Sequence, residues 1–284
     1  MSPDRIAIVA TDGHRYEVEA HTVPDSPAVV LVLPAMGVEA AYYGPVVEQI
    51  VDAGLSVVTA DLRGHGLSEV RARRGVDYGY HELASVDLPA TLDAVRSRFP
   101  GMPIVALGHS LGGQIACLHA ASHPGGLAGI ALIASCTVHY SGWPFPQNLA
   151  ILARTQTARP LVALFGYFPG KRVGFAGAEG KQQMIDWAKN GLHGRYEIAN
   201  SSYDYESLLA EVEIPILAMT LEGDHYAPPA STQNLLDKMP RAPITRRHFT
   251  TADMDESRLH HLRWARDGRP IADTIRSWVD ENLS

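Results

Sequence analysis

Cysteine is scarce in this sequence, and basic residues do not dominate its charge. Two of the 284 residues are cysteines, Cys117 and Cys136, so at most one disulfide can form in a chain too long to need a disulfide framework. We therefore expect two reduced thiols and a cytoplasmic protein. The formal net charge of −7 offers no basic surface for a phosphate backbone, which argues against a nucleic-acid partner.

Long hydrophobic runs are also missing. The longest, Leu127 to Cys136, is about half of the roughly 20 residues that a membrane-spanning helix requires, so no membrane span is expected. The segment from Met1 to Gly13 lacks the apolar stretch and the cleavage site of a secretory signal. Histidines and carboxylates do not stand at zinc-site spacing, and we expect neither a metal nor a cofactor.

The sequence does contain apolar runs that alternate with helical patterns. Continuous β-branched and apolar runs are typical of strands that are buried on both faces of a parallel sheet. Their alternation with helical spacing predicts an α/β fold with helices on both faces of a mostly parallel sheet. The predicted strands are 5–10, 15–22, 28–33, 55–60, 103–107, 130–134, 214–219 and 244–248, and the predicted helices are 42–53, 81–99, one from Ser110, 230–239 and 270–281.

Glycine and proline interrupt this alternation between about Thr137 and Ser202. We interpret this segment as an inserted cap. The predicted organisation is a core over 1–136, a cap over 137–202 and the remainder of the core over 203–284.

The most specific motif follows the predicted strand that ends at Leu107. It reads Gly108-His109-Ser110-Leu111-Gly112-Gly113, which is the Gly-x-Ser-x-Gly nucleophile elbow. Small residues on both sides of the serine let a tight strand-to-helix turn form and hold the hydroxyl up into a crevice. Since a strand precedes the motif and a helix follows it, Ser110 is the predicted nucleophile.

A second motif supports a family resemblance. Residues 61 to 68 read Asp-Leu-Arg-Gly-His-Gly-Leu-Ser and are similar to the Asp-x-Arg-Gly-x-Gly-x-Ser turn of the α/β-hydrolase superfamily. Together with the elbow, this resemblance covers nearly the whole chain and implies an α/β-hydrolase fold. The loop Pro34-Ala35-Met36-Gly37 also resembles that of a bacterial subgroup of predicted α/β-hydrolases. We interpret His65 as a turn residue and not as part of the chemistry.

The resemblance implies an acid and a base that follow the serine in the order Ser, acid, His. Asp224 precedes Pro228 by four residues, as in the family's acid loop, and is the predicted acid. Glu222 is its competitor. The alternative acid position of some relatives, after the strand at 131–134, contains no carboxylate.

Four histidines lie between Asp224 and the last helix: His225, His248, His260 and His261. The first two are interpreted as structural because one adjoins the acid and the other ends a strand. The stretch around His260 and His261 resembles the family's catalytic-histidine loop, in which an aromatic residue follows the histidine. We favour His261 as the base and keep His260 as the alternative.

The resemblance also implies two backbone donors for an oxyanion. The first is the amide of Leu111. The second, by alignment with the family's His-Gly-x segment, is the amide of Met36, although Pro34 and Ala35 replace the histidine and glycine.

The predicted activity is hydrolysis of a carboxylic ester, thioester or lactone through an acyl-Ser110 intermediate. Acyl transfer and carbon-carbon hydrolysis use the same triad and stay open, as does a non-catalytic ligand-binding role. The partner is a small-molecule acyl substrate, and a homo-oligomer is compatible with the sequence. Aromatic residues of the cap either line an apolar acyl pocket or pack the cap onto the core: Tyr140, Trp143, Phe145, Phe165, Tyr167, Phe168, Phe175 and Trp187.

Overall fold

The computed structural model describes residues 3–283 and is organised around an eight-stranded sheet. The strands are β1 (Asp4–Val9), β2 (Arg15–His21), β3 (Val29–Leu33), β4 (Ser56–Ala60), β5 (Ile104–His109), β6 (Gly129–Ile133), a short pair β7 (Phe168–Pro169) and β8 (Ala178–Glu179), β9 (Ile216–Leu221) and β10 (Ile244–Phe249). Their order in the large sheet is β1-β2-β4-β3-β5-β6-β9-β10. Antiparallel pairing is confined to β1 with β2 and β2 with β4 in this sheet, so the predicted mostly parallel α/β-hydrolase sheet is confirmed.

The sheet is covered on both faces, and its central strand β3 is apolar at every position. In β3, Leu31 and Leu33 belong to one buried cluster, and Val30 and Val32 belong to a second cluster on the opposite face. Successive side chains of a strand point to opposite faces, so this strand contributes to two cores at once. All five residues of β3 are buried.

Helices supply the other half of each core. They are α1 (Gly44–Asp52), α2 (Tyr80–Glu82), α3 (Leu88–Arg98), α4 (Leu111–Ser122), α5 (Gln147–Phe165), α6 (Gly170–Val173), α7 (Lys181–His193), α8 (Tyr205–Leu209), α9 (Pro229–Leu236) and α10 (Arg269–Asn282). The apolar side chains of α3 and α4 pack into the first cluster, and those of α1 and α10 pack into the second.

Two features differ from the sequence prediction. The helix predicted over 81–99 is not one regular α-helix, because a π-helical stretch at Leu83–Asp87 separates α2 from α3. Pro89 follows this stretch and has no amide hydrogen to continue a regular α-helical ladder. Helix α8 was not predicted; its five residues are too few to show a helical period, and Asp204 caps it by accepting from the amide of Ser207.

The predicted cap segment leaves the sheet after β6 and contains α5, α6, α7 and the short β7–β8 pair. Its long helix α5 packs on α7. It contacts the core through a buried hydrogen bond between His65 Nε2 and Glu179 Oε2 at 3.1 Å, and through the Trp143 indole, which donates to the carbonyl of His225 at 2.8 Å. The bounds 137–202 stay a prediction.

Within residues 3–283, the helices are all too short or too polar to cross a membrane. The same residues contain no group of three or more histidine, cysteine or carboxylate side chains that is arranged to hold a metal ion. Cys117 and Cys136 are buried and unbridged, as predicted.

Candidate active site

Ser110 lies at the turn from β5 into α4 with a strained backbone. Its φ of 52° and ψ of −114° are unusual for a residue with a side chain. The neighbouring glycines make the turn possible: a Cβ on Gly108 would lie 2.3 Å from the Cα of Gly113, and one on Gly112 would lie 2.2 Å from the carbonyl oxygen of Leu33. The elbow motif is therefore a steric requirement of this turn.

The structure brings Ser110, His261 and Asp224 together in one hydrogen-bonded line. The Oγ of Ser110 lies 3.1 Å from Nε2 of His261, and Nδ1 of the same ring lies 2.9 Å from Oδ2 of Asp224. The three residues follow the carboxyl ends of β5, β9 and β10, which are parallel and meet at one edge of the sheet. Since the carboxylate only accepts, Nδ1 carries the proton and Nε2 is left to accept from the serine hydroxyl.

Asp224 is held rigidly. Its side chain is fully buried, and its Oδ1 accepts from the amides of Tyr226 at 2.8 Å and Ala227 at 3.1 Å. Oδ2 is the oxygen nearer to His261, whereas Oδ1, which holds the loop, lies 3.2 Å from the same Nδ1. The competing carboxylate, Glu222, is exposed and accepts from the amide of Thr251 instead.

The other histidines lie elsewhere. His260 lines the same cavity but is exposed, and its Nδ1 accepts from the amide of Leu262 at 3.5 Å. His248 is exposed on β10, where its Nδ1 bonds the hydroxyl of Thr220. His225 is exposed, and His65 is buried against Glu179 in the cap.

The residues whose amides are predicted to form an oxyanion hole, Met36 and Leu111, line the same cavity. Leu111 begins α4, and the amides of a first helical turn have no acceptor within their helix. In the loop after β3, the Ala35 amide is occupied because it donates to the Tyr43 hydroxyl at 3.0 Å. Within the described part of the chain, no acceptor bonds the amide of Met36, which lines the cavity. The role of Met36 and Leu111 stays a prediction.

The Asp61 turn supports the neighbouring segment. Asp61 Oδ1 accepts from the amide of Ala40 at 2.7 Å, and its Oδ2 accepts from the amide of Leu67 at 3.0 Å. A Cβ on Gly66 would lie 1.9 Å from the same carboxylate, so the turn requires glycine there. This motif is structural, because it braces the chain that follows the predicted oxyanion loop.

Ser110 and His261 open onto a cavity of about 370 Å³ between the core and the cap. Of the eight cap aromatics considered from sequence, Trp143, Phe175 and Trp187 line it, whereas Phe168 packs against the core cluster and Phe145 is 77% exposed. The cap therefore uses its aromatic residues both for lining and for packing.

Several residues at the site carry no motif and were missed. The Tyr43 hydroxyl accepts from the Ala35 amide at 3.0 Å and lies 2.6 Å from Nδ1 of His109. The ring of His109 lies 5.0 Å from that of His261, centroid to centroid, and burial together with the charge of His261 holds the pKa of His109 well below its ordinary range. A neutral histidine thus packs beside His261.

A second Ser–His–Asp arrangement exists but lacks a substrate site. His14 bonds Asp87 Oδ1 through Nδ1 at 2.9 Å and Ser68 Oγ through Nε2 at 2.8 Å. Both Ser68 and His14 are buried, the adjoining cavity is about 20 Å³, and Arg63 also pairs with Asp87. This cluster packs the Asp61 turn against the core.

Comparison with known proteins agrees with the fold. The family model described as "Serine aminopeptidase, S33" matches residues 24–171, just over half of the chain. Human monoglyceride lipase is 35% identical over 106 residues, which are 37% of this chain and 34% of that enzyme, so the chain spans about a third of the curated relatives it matches.

Solved structures are similar over the whole chain. DcsB in complex with its substrate analogue is 15% identical, with a TM-score of 0.67 and full coverage of both chains. The esterase EaEST from Exiguobacterium antarcticum is 17% identical, with a TM-score of 0.63, and covers 96% of this chain and 98% of its own. These likenesses concern the fold. The chain belongs to the serine aminopeptidase S33 family of serine hydrolases in the α/β-hydrolase superfamily.

Proposed function

We propose that the protein is a serine esterase that hydrolyses carboxylic esters through an acyl-Ser110 intermediate. The observation that carries the proposal is the hydrogen-bonded line from Ser110 through His261 to Asp224, which opens onto a cavity of about 370 Å³. A serine hydroxyl needs such a base, and the base needs a carboxylate that holds its tautomer.

In the first half of the reaction, Nε2 of His261 takes the proton of Ser110 Oγ while that oxygen attacks the ester carbonyl. The imidazolium that forms is stabilised by the buried carboxylate of Asp224. The carbonyl oxygen becomes an oxyanion, which the amides of Leu111 and Met36 would bind. His261 then returns the proton to the departing alkoxide, and an acyl-Ser110 ester remains.

In the second half, His261 takes a proton from a water molecule, and the hydroxide attacks the acyl-enzyme. Collapse of the second tetrahedral intermediate releases the carboxylic acid and restores the Ser110 hydroxyl with the proton held by His261. The net reaction consumes one water molecule and needs no further co-reactant.

The cavity favours an ester over an N-terminal peptide. An aminopeptidase substrate carries an ammonium group, which needs a counter-charge where it is bound out of water. The residues found to line the cavity in the described chain contain no carboxylate, and their one permanent charge is that of Arg154. The matched part of human monoglyceride lipase, an enzyme named for ester cleavage, is consistent with this preference.

The proposal is tested by active-site labelling and turnover. A fluorophosphonate probe is expected to label the wild-type protein and not the Ser110→Ala variant, and 4-nitrophenyl hexanoate should be hydrolysed much faster than an aminoacyl 4-nitroanilide. An unlabelled, inactive wild type would favour a ligand-binding protein. If the probe labels the protein but esters are not hydrolysed, and the acyl group is transferred to an added alcohol instead, the result would favour an acyltransferase.

A further inference from the structure

Arg154 is a cation at the edge of the cavity, on helix α5 of the cap segment. Its guanidinium carbon lies 5.7 Å from the ring centroid of Phe175 and 5.5 Å from that of Tyr226. Contacts of this kind hold a guanidinium by its attraction to aromatic faces. Two rings from different segments therefore position the charge.

Arg154 differs from two other polar side chains that line the cavity, Gln114 and Thr155. Gln114 accepts from the Tyr80 hydroxyl at 3.2 Å, and Thr155 donates to the carbonyl of Leu152 at 3.0 Å. For Arg154, residues 3–283 provide neither a hydrogen-bond acceptor nor a carboxylate partner. The aromatic rings contact the guanidinium group of Arg154 but do not accept hydrogen bonds from its N–H donors in the way that an oxygen would.

This charge is close to the predicted chemistry. The ring of Tyr226, which the guanidinium faces, lies 5.3 Å from the ring of His261, centroid to centroid. Tyr226 follows the acid Asp224 by two residues, and its amide donates to that carboxylate. The guanidinium of Arg154 therefore contacts a ring, that of Tyr226, which itself packs beside His261, the predicted base.

We infer that Arg154 is a specificity-determining residue that binds a carboxylate group carried by the ester substrate. The inference rests on the proposed esterase function and refines its substrate class. A planar guanidinium with free donors matches a carboxylate bidentately, and the aromatic walls around it suit the hydrocarbon between the carboxylate and the ester. An arginine that is left unpaired beside the cavity attracts an anion to that place.

The inference is tested with two matched pairs of esters. In the first pair the acyl group differs: 4-nitrophenyl hexanoate is neutral, and the 4-nitrophenyl monoester of adipic acid carries a terminal carboxylate on a chain of the same length. In the second pair the alcohol differs: phenyl hexanoate is compared with 3-carboxyphenyl hexanoate. The measured quantity is the ratio of kcat/KM for the anionic ester to kcat/KM for its neutral partner.

Arg154→Gln is expected to lower this ratio at least about tenfold for one of the two pairs, since the site loses a charge-assisted hydrogen bond at an exposed position. The pair that responds identifies whether the acyl or the alcohol part carries the carboxylate. Arg159→Gln is the matched control, because Arg159 is exposed on the same helix and does not line the cavity. An unchanged ratio for both pairs in Arg154→Gln, or an equal fall in Arg159→Gln, overturns the inference.

A binding measurement separates this inference from the proposed function. In a Ser110→Ala background, calorimetric titrations with monomethyl adipate and with 3-carboxyphenyl hexanoate should show that at least one of these esters binds at least about tenfold more weakly when Arg154→Gln is added. An inactive wild type that still shows this Arg154-dependent binding would refute the esterase proposal alone. Equal binding of both esters by the two variants, with or without an active wild type, would refute the role of Arg154.

Discussion

Replacing Asp224 by asparagine separates the two tasks that the structure gives to its carboxylate. Oδ1 accepts from the amides of Tyr226 and Ala227 and lies 3.2 Å from Nδ1 of His261, whereas Oδ2 is the nearer oxygen to that nitrogen, at 2.9 Å. An asparagine can place its carbonyl oxygen at the Oδ1 position and keep both amide bonds. Its NH₂ group then faces His261.

The consequence is an exchange of tautomers. Because the NH₂ group only donates, Nδ1 of His261 becomes the acceptor and the ring proton moves to Nε2, which faces Ser110 Oγ at 3.1 Å. The base can no longer take the serine proton, and the buried negative charge that would stabilise the imidazolium is gone. In serine hydrolase triads this change lowers kcat on the order of 10⁴-fold, or roughly 5 kcal/mol in barrier height.

The assay is kcat for 4-nitrophenyl hexanoate, measured together with thermal unfolding. Asp224→Asn is expected to lose on the order of 10⁴-fold in kcat with a small change in Tm, because the backbone amides stay satisfied. Glu222→Gln is the matched control, since Glu222 is exposed two residues away. Retention of more than about a tenth of the activity by Asp224→Asn, or an equal loss in Glu222→Gln, would refute the reasoning.

Three further predictions concern residues around the triad. His261→Ala should lower kcat/KM for the same ester by several orders of magnitude, whereas His260→Ala, at an exposed ring, should change it less than about tenfold. Tyr43→Phe removes a buried hydroxyl that bonds two partners and should lower the free energy of unfolding, measured in urea, by about 2 kcal/mol. Burial acts to lower the pKa of His65, but the hydrogen bond and charge of Glu179 outweigh burial and raise it above 6.5. The stabilisation from this pair is therefore complete below about pH 6.5 and is lost as the pH rises through the folded-state pKa, so the Tm difference between wild type and His65→Gln should shrink from pH 6 to pH 8.5.

Each of these predictions has an outcome that contradicts it. A greater loss of kcat/KM in His260→Ala than in His261→Ala would mean that His260 is the base and His261 is not. Unchanged stability of Tyr43→Phe would mean that Ala35 and His109 form other hydrogen bonds when the hydroxyl is removed. A loss of activity without a loss of stability would mean that the hydroxyl positions the loop that contains Met36. A Tm difference for His65→Gln that is constant with pH would show that the histidine pairs with Glu179 without a charge.

Much of the architecture was predictable because its causes are local. A strand buried on both faces is mostly apolar, and β3, which is apolar at every position, shows this directly in the sequence. The exceptions follow the same logic. Helix α8 is too short to show a period. Asp87, in the π-helical stretch before Pro89, bonds His14 and Arg63, and the local sequence does not reveal partners so distant along the chain.

The sequence by itself determined the elbow, because its motif occupies the consecutive residues 108 to 113. The turn needs glycine at 108 and 112, where a Cβ would collide with Gly113 and Leu33. Tertiary structure alone decided which histidine meets the serine. Ser68 also bonds a histidine that bonds an aspartate, but the cavity beside that set is about 20 Å³, whereas the cavity beside Ser110 is about 370 Å³. His260 lines the larger cavity, yet the ring that bonds Ser110 is that of His261. Tertiary structure also places Arg154 against the rings of Phe175 and Tyr226, which belong to other segments of the chain. Such convergence depends on how helices and loops pack across the sheet edge, which no short segment of sequence specifies.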